Sequence, residues 1–392
     1  MRTGRHPPGR VAAVVSASLV ALLLGAVGCG SGDSDDESAA AATKVSVSGP
    51  NGRIVFARFD PTLDGNVTYT VNPDGSEVKQ LFSDGNSEMP HWSPDGSQVA
   101  IFCCDNGMAA HLVNPDTGNL YITDTYNQRV SEFDNAGAPV RQWGYRGRAN
   151  YGFNYPRMIA TDPRNGDVVL VDTDNHNVKK YDANGTWLWT AGPIVGGPVS
   201  GKFRNPHGVD VGPDGMIYVA DSRSSRVVVL NPNGTASDAF GTNGTANGQF
   251  KFPRGIALDT NGTSDQSDDT LWVVDSVRDV VQHFTTTGTY LSQFGTKGAL
   301  PAQFTGPFDI EADGTFLFIA DANQHVIKVW NDPGPGTTAA TFNSQFGGRG
   351  TGSGKMIQPQ GLDLYTAGGF EYLYVSEQGT DRIQKWQLYS TT

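Results

Sequence analysis

A recurring phrase places chemically capable residues at matching positions along this chain of 392 residues. The phrase reads GQFKFPRGIALD at 248–259, and near-copies such as GKFRNPHGVDV at 201–211 share its proline. The residues that directly follow the prolines are Arg157, His207, Arg254, Phe308 and Gln360. Brought together, these side chains could hold a carboxylate, a sugar or a peptide end, because a guanidinium binds a carboxylate through paired hydrogen bonds.

Acidic residues recur just as regularly, and each one closes a short apolar run. They are Asp124, Asp172, Asp221, Asp275, Asp321 and Glu377. One acid in every unit suits a structural role better than a catalytic one. Arg129, Arg226 and Arg382 stand five residues after three of these acids. We therefore expect local acid–arginine pairs that brace a turn.

The segment DTNGTSDQSDD at 259–269 combines carboxylates with amides, which are ligand types that Ca²⁺ prefers. It lacks the glycine at the sixth position and the glutamate at the twelfth position that an EF-hand loop needs. We expect an exposed acidic turn here, and Ca²⁺ binding is kept as the alternative.

The spacing of these features predicts an all-β fold built from a repeated unit. Successive acids are separated by 46 to 56 residues, and a large apolar residue stands nine positions after each acid. Turn sequences such as PNG, ANG and PDG divide each unit into four short apolar runs, which read as strands. Four strands per repeat of this length make a propeller blade, and blades shelter each other's faces only when they stand in a ring.

The repeated units resemble NHL repeats, which form β-propellers. FPRGIALD and GNLYITDTYNQRVSEF carry the resemblance most clearly, and six copies cover residues 107–392. The resemblance implies that the recurring phrase leads into the innermost strand of each blade. The apolar residue three positions before each proline is then a wedge between neighbouring blades: Phe153, Phe203, Phe250, Phe304 and Met356.

Residues 50–106 follow a different pattern, and their WSPDGS hairpin resembles the repeats of TolB-like propellers. About five strands in this segment and 23 in the six NHL-like units make 28, a count that favours a propeller of seven four-stranded blades. An N-terminal strand would then complete the last blade, which has no room for a fourth strand before Thr392. Six blades with an N-terminal appendage is the alternative.

In a propeller, the residues after the prolines are expected at the mouth of the central channel. Ala109 and His91, the latter in PHWS, are the expected equivalents in two further units. This ring is our candidate ligand site, although its members could also simply fill the channel with hydrated polar groups. Related propellers include a peptidyl-hydroxyglycine amidating lyase with a zinc ion held by three histidines. Here only His207 stands in a comparable PHG context, so no metal ligands, cofactor or catalytic residues are assigned.

The N-terminal residues read as an export signal rather than as part of the fold. A basic start and an apolar stretch over 1–28 lead to Cys29 in AVGC, which resembles a lipobox. Residues 29–49 are small and acidic and are typical of a flexible tether. We therefore expect a bacterial lipoprotein, lipidated at Cys29 and held at the outer side of the cell membrane.

Charge and cysteine content narrow the function further. The net charge of −12 disfavours a nucleic-acid partner, since the whole molecule repels phosphate backbones. The adjacent Cys103 and Cys104 could form a disulfide in an exported protein, or remain two thiols on opposite faces of a strand.

Our main hypothesis is a membrane-anchored, monomeric binding or sensor module for an envelope protein, peptide or glycan. The alternative is a propeller enzyme, a lyase or lactonase-type hydrolase, acting on a small anionic substrate at the channel. Arg157 and Arg254 would then orient the substrate, with His207 as acid or base.

Overall fold

A computed structural model describes the chain over 119–134, 139–192, 203–352, 354–367, 370–380 and 382–390, with the backbone of six shorter strands between 54 and 113. The predicted signal peptide, the tether, Cys29 and Cys104 lie outside the described residues, as do the side chains of His91, Ala109 and Cys103. Within the described part, no helix has the length and apolar character needed to span a membrane.

The chain divides between residues 101 and 102 into two compact units. Two small sheets lie mainly in the first unit, and the last strand of the second sheet crosses the dividing point. One sheet contains β1 (Ile54–Asp60), β2 (Gly65–Val71) and β3 (Lys79–Gln80). The other contains β4 (Ser87–Trp92) and β5 (Val99–Cys103). The predicted likeness of 50–106 to a TolB-type repeat stays a prediction.

The second unit contains six antiparallel sheets, and each is numbered here as a blade. Blade 1 is formed by β6 (Met108–Val113), β7 (Leu120–Asp124), β8 (Arg129–Phe133) and β9 (Pro139–Trp143). A parallel pair, β10 (Tyr145–Arg146) and β11 (Gly152–Phe153), connects it to the next blade. Blade 2 is formed by β12 (Pro156–Thr161), β13 (Val168–Asp172), β14 (Asn177–Tyr181) and β15 (Trp187–Ala191).

Blades 3 and 4 repeat this plan. Blade 3 is formed by β16 (Pro206–Val211), β17 (Ile217–Asp221), β18 (Arg226–Leu230) and β19 (Ala236–Phe240). A parallel pair, β20 (Thr242–Asn243) and β21 (Gln249–Phe250), follows it. Blade 4 is formed by β22 (Pro253–Asp259), β23 (Thr270–Asp275), β24 (Val280–Thr285) and β25 (Tyr290–Phe294). Short 3₁₀ turns follow β13 at Thr173–Asn175 and β17 at Ser222–Ser224.

Blades 5 and 6 complete the set. Blade 5 is formed by β26 (Pro307–Ala312), β27 (Phe316–Asp321), β28 (Val326–Asn331) and β29 (Thr341–Gly347). Blade 6 is formed by β30 (Pro359–Ala367), β31 (Phe370–Glu377) and β32 (Arg382–Ser390). Within the described residues, blade 6 has three strands, and no N-terminal strand joins its sheet.

The blades form a closed ring of six. The first strand of each blade contacts the first strand of the next, and β30 of blade 6 contacts β6 of blade 1. The preferred count of seven blades is not confirmed, and the arrangement agrees with the alternative count of six. The physical reason is that the first and last inner strands already cover each other, while β1 to β5 pair among themselves.

The second strand of each blade is buried on both faces because a neighbouring blade covers each face. All five residues of β13 and all five of β17 are buried. Their sequences, VVLVD and IYVAD, are accordingly continuous apolar runs ending in an acid, rather than the alternating pattern of a half-exposed strand.

The five predicted wedge residues are all buried, as expected for side chains between blades. Phe250 shows how the chain accommodates them. Gly241, at the end of blade 3, has a φ of +91°, and a Cβ added there would lie 2.6 Å from Cε2 of the Phe250 ring. Glycine is required here for its left-handed backbone and for the close approach of the ring. The aromatic–glycine pairs that end the fourth strands therefore form seats for the wedges of the following blades.

The acids that end the second strands fasten the chain segment leading into the inner strand of the same blade. Asp172 accepts a hydrogen bond from the backbone N–H of Asn154 at 2.7 Å. Glu377 accepts one from the N–H of Ile357 at 2.6 Å. The predicted acid–arginine pairs are confirmed in three blades: Asp124 with Arg129, Asp221 with Arg226 and Glu377 with Arg382.

Candidate functional site

A backbone bulge directly after each proline positions the candidate ligand residues. The register of the first and second strands shifts between the proline and the residue three positions later in blades 2 to 6. A bulge re-aims the side chains within it, and in a ring it does so at the same end of every inner strand. This end of the ring, which carries Arg157, His207, Arg254, Phe308 and Gln360, is called the channel mouth below.

Four of the five candidates are brought together at the channel mouth. The guanidinium carbon of Arg254 lies 4.4 Å from the ring centroid of Phe308 and 5.2 Å from that of Phe252. The His207 ring meets Phe252 edge-on, with 5.2 Å between centroids. The charge of Arg157 acts on both His207 and Arg254. Phe252 was missed in the sequence because it precedes the proline, where an apolar residue reads as packing.

Gln360 is occupied elsewhere. Its amide donates to the side-chain oxygen of Gln378 in its own blade. No described contact joins it to the two arginines or to His207. It can line the channel mouth, but it is not part of the cationic cluster.

Arg157 and Arg254 are partly buried, yet no carboxylate forms a salt bridge with either of them among the described residues. The Nε atom of each is buried and has no hydrogen-bond partner within that part of the chain. Burial, followed by repulsion from Arg157, lowers the pKa of Arg254 to about 10. Burial also lowers the pKa of Arg157, against the opposing effect of nearby groups such as Asp174. Both side chains remain charged at neutral pH and have unsatisfied donors that suit an anion.

His207 is a neutral imidazole with a defined tautomer. Its Nδ1 lies 3.0 Å from the carbonyl oxygen of Asn205 and 3.0 Å from Oγ of Ser222, whose hydroxyl donates to the carbonyl of Pro253. Because a carbonyl oxygen only accepts, Nδ1 must carry the proton, and Nε2 keeps a lone pair. Burial, followed by the charges of Arg157 and Arg254, lowers the pKa of His207 to about 3. At neutral pH the ring can therefore accept a hydrogen bond at Nε2, but it does not supply a positive charge.

The inner strands also carry carboxyl groups, which the sequence interpretation did not identify. Asp210 accepts a hydrogen bond from Leu258 N–H of the next blade at 2.7 Å, and Asp309 accepts one from Leu362 N–H at 2.9 Å. Burial raises the pKa of Asp210 to about 6 and that of Asp309 to about 8. Burial, followed by repulsion from Asp363, Asp210 and Asp309, raises the pKa of Glu311. The sequence could have indicated these carboxyl groups, because each is an acidic residue within an otherwise apolar inner strand, as in PHGVDV and PFDIEA.

Of the other histidines whose side chains are described, His283 stacks on Trp272 with 3.7 Å between ring centroids, and His176 and His325 hold chain segments by hydrogen bonds. Nδ1 of His176 accepts a hydrogen bond from Asn205 N–H at 3.1 Å, and Nδ1 of His325 accepts one from Gln358 N–H at 3.0 Å. Each of them holds the segment leading into the next blade. Across the described side chains, no three His, Cys, Asp or Glu residues are grouped closely enough to hold a metal ion.

The acidic segment 259–269 forms a turn whose carboxylates bind their own loop. Oδ1 of Asp265 accepts hydrogen bonds from the N–H of Ser267 at 3.0 Å and from its hydroxyl at 2.7 Å. The carboxylate of Asp268 accepts from the Thr263 hydroxyl at 3.0 Å. Asp265 is exposed, so this part of the segment agrees with the expected acidic turn.

Comparisons with known proteins agree with the architecture. Residues 203–230 match the family model of the NHL repeat. The chain is 23% identical to Protein brain tumor of Drosophila melanogaster over 45% of its own length, but this match spans 16% of that relative. It is 25% identical to NHL repeat-containing protein 3 of Mus musculus, over 66% of this chain and 72% of that one.

Among solved structures, a streptogramin B lyase superposes with a TM-score of 0.50. The superposition covers 87% of this chain and 92% of the lyase, at 15% sequence identity. This likeness shows the propeller fold and nothing about activity.

Proposed function

On the premise of a six-bladed propeller that carries NHL repeats, we propose that this protein is a binding module for an anionic group. The ligand is a carboxylate presented by a protein, a peptide or a glycan, and it binds at the channel mouth. The proposal includes lipidation at Cys29, which would hold the propeller at the outer side of the membrane. Its partners would then be components of the cell envelope.

The pair of unmatched guanidinium groups is the observation that carries this proposal. Removing a charged group from water is costly unless a partner compensates it. Arg157 and Arg254 are partly buried, repel each other and have no carboxylate partner among the described residues. A ligand carboxylate bound between the two guanidinium groups would offset one of the two positive charges, reduce their mutual repulsion and use the free Nε donors.

The aromatic rings beside Arg254 give the site a preorganised shape. Phe308 and Phe252 hold the guanidinium by cation–π contact, which leaves its edge free for hydrogen bonding. An apolar wall next to two cations suits a carboxylate attached to an apolar or sugar scaffold better than a free inorganic anion.

Titration calorimetry with paired probes tests this function. A short peptide with a free C-terminal carboxylate is compared with its C-terminal amide, and a uronic acid is compared with its neutral sugar. We expect binding of the carboxylate forms only, and we expect Arg157→Gln and Arg254→Gln each to weaken it by about tenfold or more. Arg146→Gln, at an exposed position of β10, is the matched control and should bind normally. Equal binding of charged and neutral probes would contradict the proposal.

A second candidate is an enzyme at the same mouth, and the state of His207 favours it. A neutral imidazole with a free Nε2 lone pair beside two arginines can act as a general base toward a bound anionic substrate. Lyase or lactonase-type hydrolase chemistry would use these groups. Turnover of a carboxylate-bearing lactone or ester that disappears in His207→Ala, while ligand affinity persists, would favour the enzyme over the binding module.

The anchor requires its own test. Mass spectrometry of the N-terminal peptide from the native host should show a diacylated Cys29, and Cys29→Ser should release the protein from the membrane fraction. An unmodified Cys29 in a membrane-free protein would remove this part of the proposal.

A further inference from the structure

Four buried oxygen atoms near the boundary between blades 4 and 5 form no hydrogen bond of ordinary geometry with the described residues. They are Oδ2 of Asp259, Oδ1 of Asn261, Oγ1 of Thr270 and Oδ2 of Asp332. Asp259 ends β22, Asn261 lies in the following turn and Thr270 begins β23. Asp332 follows β28 of the next blade. The side chains of Asp259 and Thr270 are 1% and 2% exposed, so bulk water does not compensate them.

Strand pairing and close contacts place the residues that carry these oxygens near one another. Asp259 pairs directly with Thr270 in the sheet, which places both side chains on the same face of blade 4. The carboxyl groups of Asp259 and Asp332 lie within hydrogen-bonding reach of each other across the blade boundary. Oδ1 of Asn261 lies 3.9 Å from the Cβ position of Gly334, whose N–H donates to Oδ1 of Asp332 at 2.7 Å.

The orientation of each ligand oxygen is set by a hydrogen bond made by another atom of the same group. Nδ2 of Asn261 donates to the carbonyl of Asp268 at 2.6 Å, which fixes the amide orientation and leaves its Oδ1 without a partner. Oδ1 of Asp259 accepts from Asn261 N–H at 2.8 Å, and its Oδ2 is left without a partner. The cluster is thus held in place by backbone groups before any ligand arrives.

The charge of the cluster defines what could occupy it. Two carboxyl groups meet in a buried place, and no Lys or Arg forms a salt bridge with either of them among the described residues. A divalent cation supplies two positive charges and prefers carboxylate, amide and hydroxyl oxygens. The irregular spacing of ligands from three segments suits the flexible coordination of Ca²⁺ better than the strict octahedron of Mg²⁺.

We propose that Asp259, Asn261, Thr270 and Asp332 form a Ca²⁺-type cation site that joins blade 4 to blade 5. The site differs from the acidic turn that follows Asn261, whose exposed carboxylates bind their own loop. It also differs from the channel mouth, and it does not depend on the proposed ligand-binding function. Water molecules would complete the coordination of the ion.

Calorimetric titration of the calcium-stripped full chain with CaCl₂ and with MgCl₂ is the primary test. We expect one Ca²⁺ per chain, weaker Mg²⁺ binding, and a melting temperature that rises with Ca²⁺ concentration, because an ion bound only to the folded state stabilises it. Asp332→Asn should weaken Ca²⁺ binding by about tenfold or more, since it removes one ligand charge. Asp265→Asn, in the exposed turn, is the matched control and should bind normally.

Terbium luminescence keeps the proposal testable if Asp332→Asn does not fold. Trp272 is fully buried, and its indole lies within hydrogen-bonding reach of the Asp332 carboxyl, so it should sensitise Tb³⁺ bound at this site. We expect Ca²⁺ to compete for the signal and Trp272→Phe to abolish most of it while calorimetric Ca²⁺ binding persists. Absence of both Ca²⁺ heat and Tb³⁺ signal in the unaltered chain would overturn the proposal. So would a Tb³⁺ signal lost in Asp265→Asn but kept in Trp272→Phe, because the ion would then lie in the exposed turn.

Discussion

The guanidinium carbon of Arg254 lies 4.4 Å from the centre of the Phe308 ring, across the boundary between blades 4 and 5. Both residues follow the proline of their own inner strand, so equivalent positions in adjacent blades make a cation–π pair. This contact links two adjacent blades. It also sets the geometry of the channel mouth, because the face of Phe308 fixes the plane of the guanidinium.

Phe308→Leu should therefore weaken ligand binding more than it weakens the fold. Leucine keeps most of the apolar volume but removes the ring face, so we expect a loss of about 0.5–2 kcal/mol in the binding free energy of a carboxylate probe. Phe308→Tyr keeps the ring and should bind normally. Calorimetry and thermal unfolding of the three proteins check this. An unchanged affinity in Phe308→Leu would show that the ring does not orient Arg254.

Gly241→Ala should destabilise the propeller strongly. Its φ of +91° is strained for alanine, and its Cβ would lie 2.6 Å from the Phe250 ring. We expect a loss of about 2–4 kcal/mol in the free energy of unfolding from backbone strain and overpacking together. Gly262→Ala is the matched control, since Gly262 has a φ of +67° but nothing within 4 Å of the Cβ position. If urea denaturation shows the same loss of unfolding free energy in Gly241→Ala and Gly262→Ala, the close approach of the Phe250 ring to Gly241 contributes nothing to that loss.

Removing one partner of the buried pair Asp172 and Lys179 should lower the free energy of unfolding strongly, whereas replacing both partners together should lower it less. Their charged groups lie 3.1 Å apart, and burial raises the pKa of Asp172 and lowers that of Lys179. Asp172→Asn should cost about 3–5 kcal/mol because it leaves a buried ammonium without its counter-charge. Combining it with Lys179→Met should recover much of this loss in urea unfolding. If the double variant is as unstable as the single one, the lost stability comes instead from the hydrogen bond between Asp172 and Asn154.

Stability should decrease as the pH rises from about 6.5 to 8 because of the carboxyl groups on the inner strands, since the buried histidines are neutral in both the folded and the unfolded state above about 6.5. The pKa of Asp309 is raised to about 8, well above its unfolded value near 4, so the folded state binds more protons across this interval. Each such group can lower the unfolding free energy by up to about 1.4 kcal/mol per pH unit within its window.

Asp309→Asn mimics the protonated acid and should flatten part of this slope. Asp238→Asn, at an exposed position of β19, should leave the slope unchanged. Chemical denaturation at several pH values measures both. A slope between about pH 6.5 and 8 that is the same in Asp309→Asn as in the unaltered chain would show that Asp309 is ionised in the folded protein.

Several local features followed from residue patterns without any knowledge of the fold. The wedges were identifiable because Phe153, Phe250 and Phe304 recur at a constant distance from a proline. The acid–arginine pairs were identifiable because Asp221 and Arg226 lie five residues apart across one tight turn. Such contacts form within a blade or between consecutive segments, so their spacing in the chain survives in the structure.

The candidate site could be predicted from the residue pattern only in part. The positions of Arg157, His207 and Arg254 could be inferred from the repeat, but their lack of carboxylate partners could not. Phe252, Asp309 and the cluster around Asp332 were missed. Their roles arise from neighbours in other blades, and a pattern within one unit contains no information about those neighbours.

The amino-acid sequence by itself determined the strand pattern, the blade repeat and the residues that each inner strand presents, because these depend on short-range periodicity and turn chemistry. Only the tertiary structure decided how many blades close the ring, which charged groups meet at its axis and which buried oxygens lack partners. Those outcomes depend on contacts between segments far apart in the chain, where burial and the geometry of closure determine which polar groups are compensated.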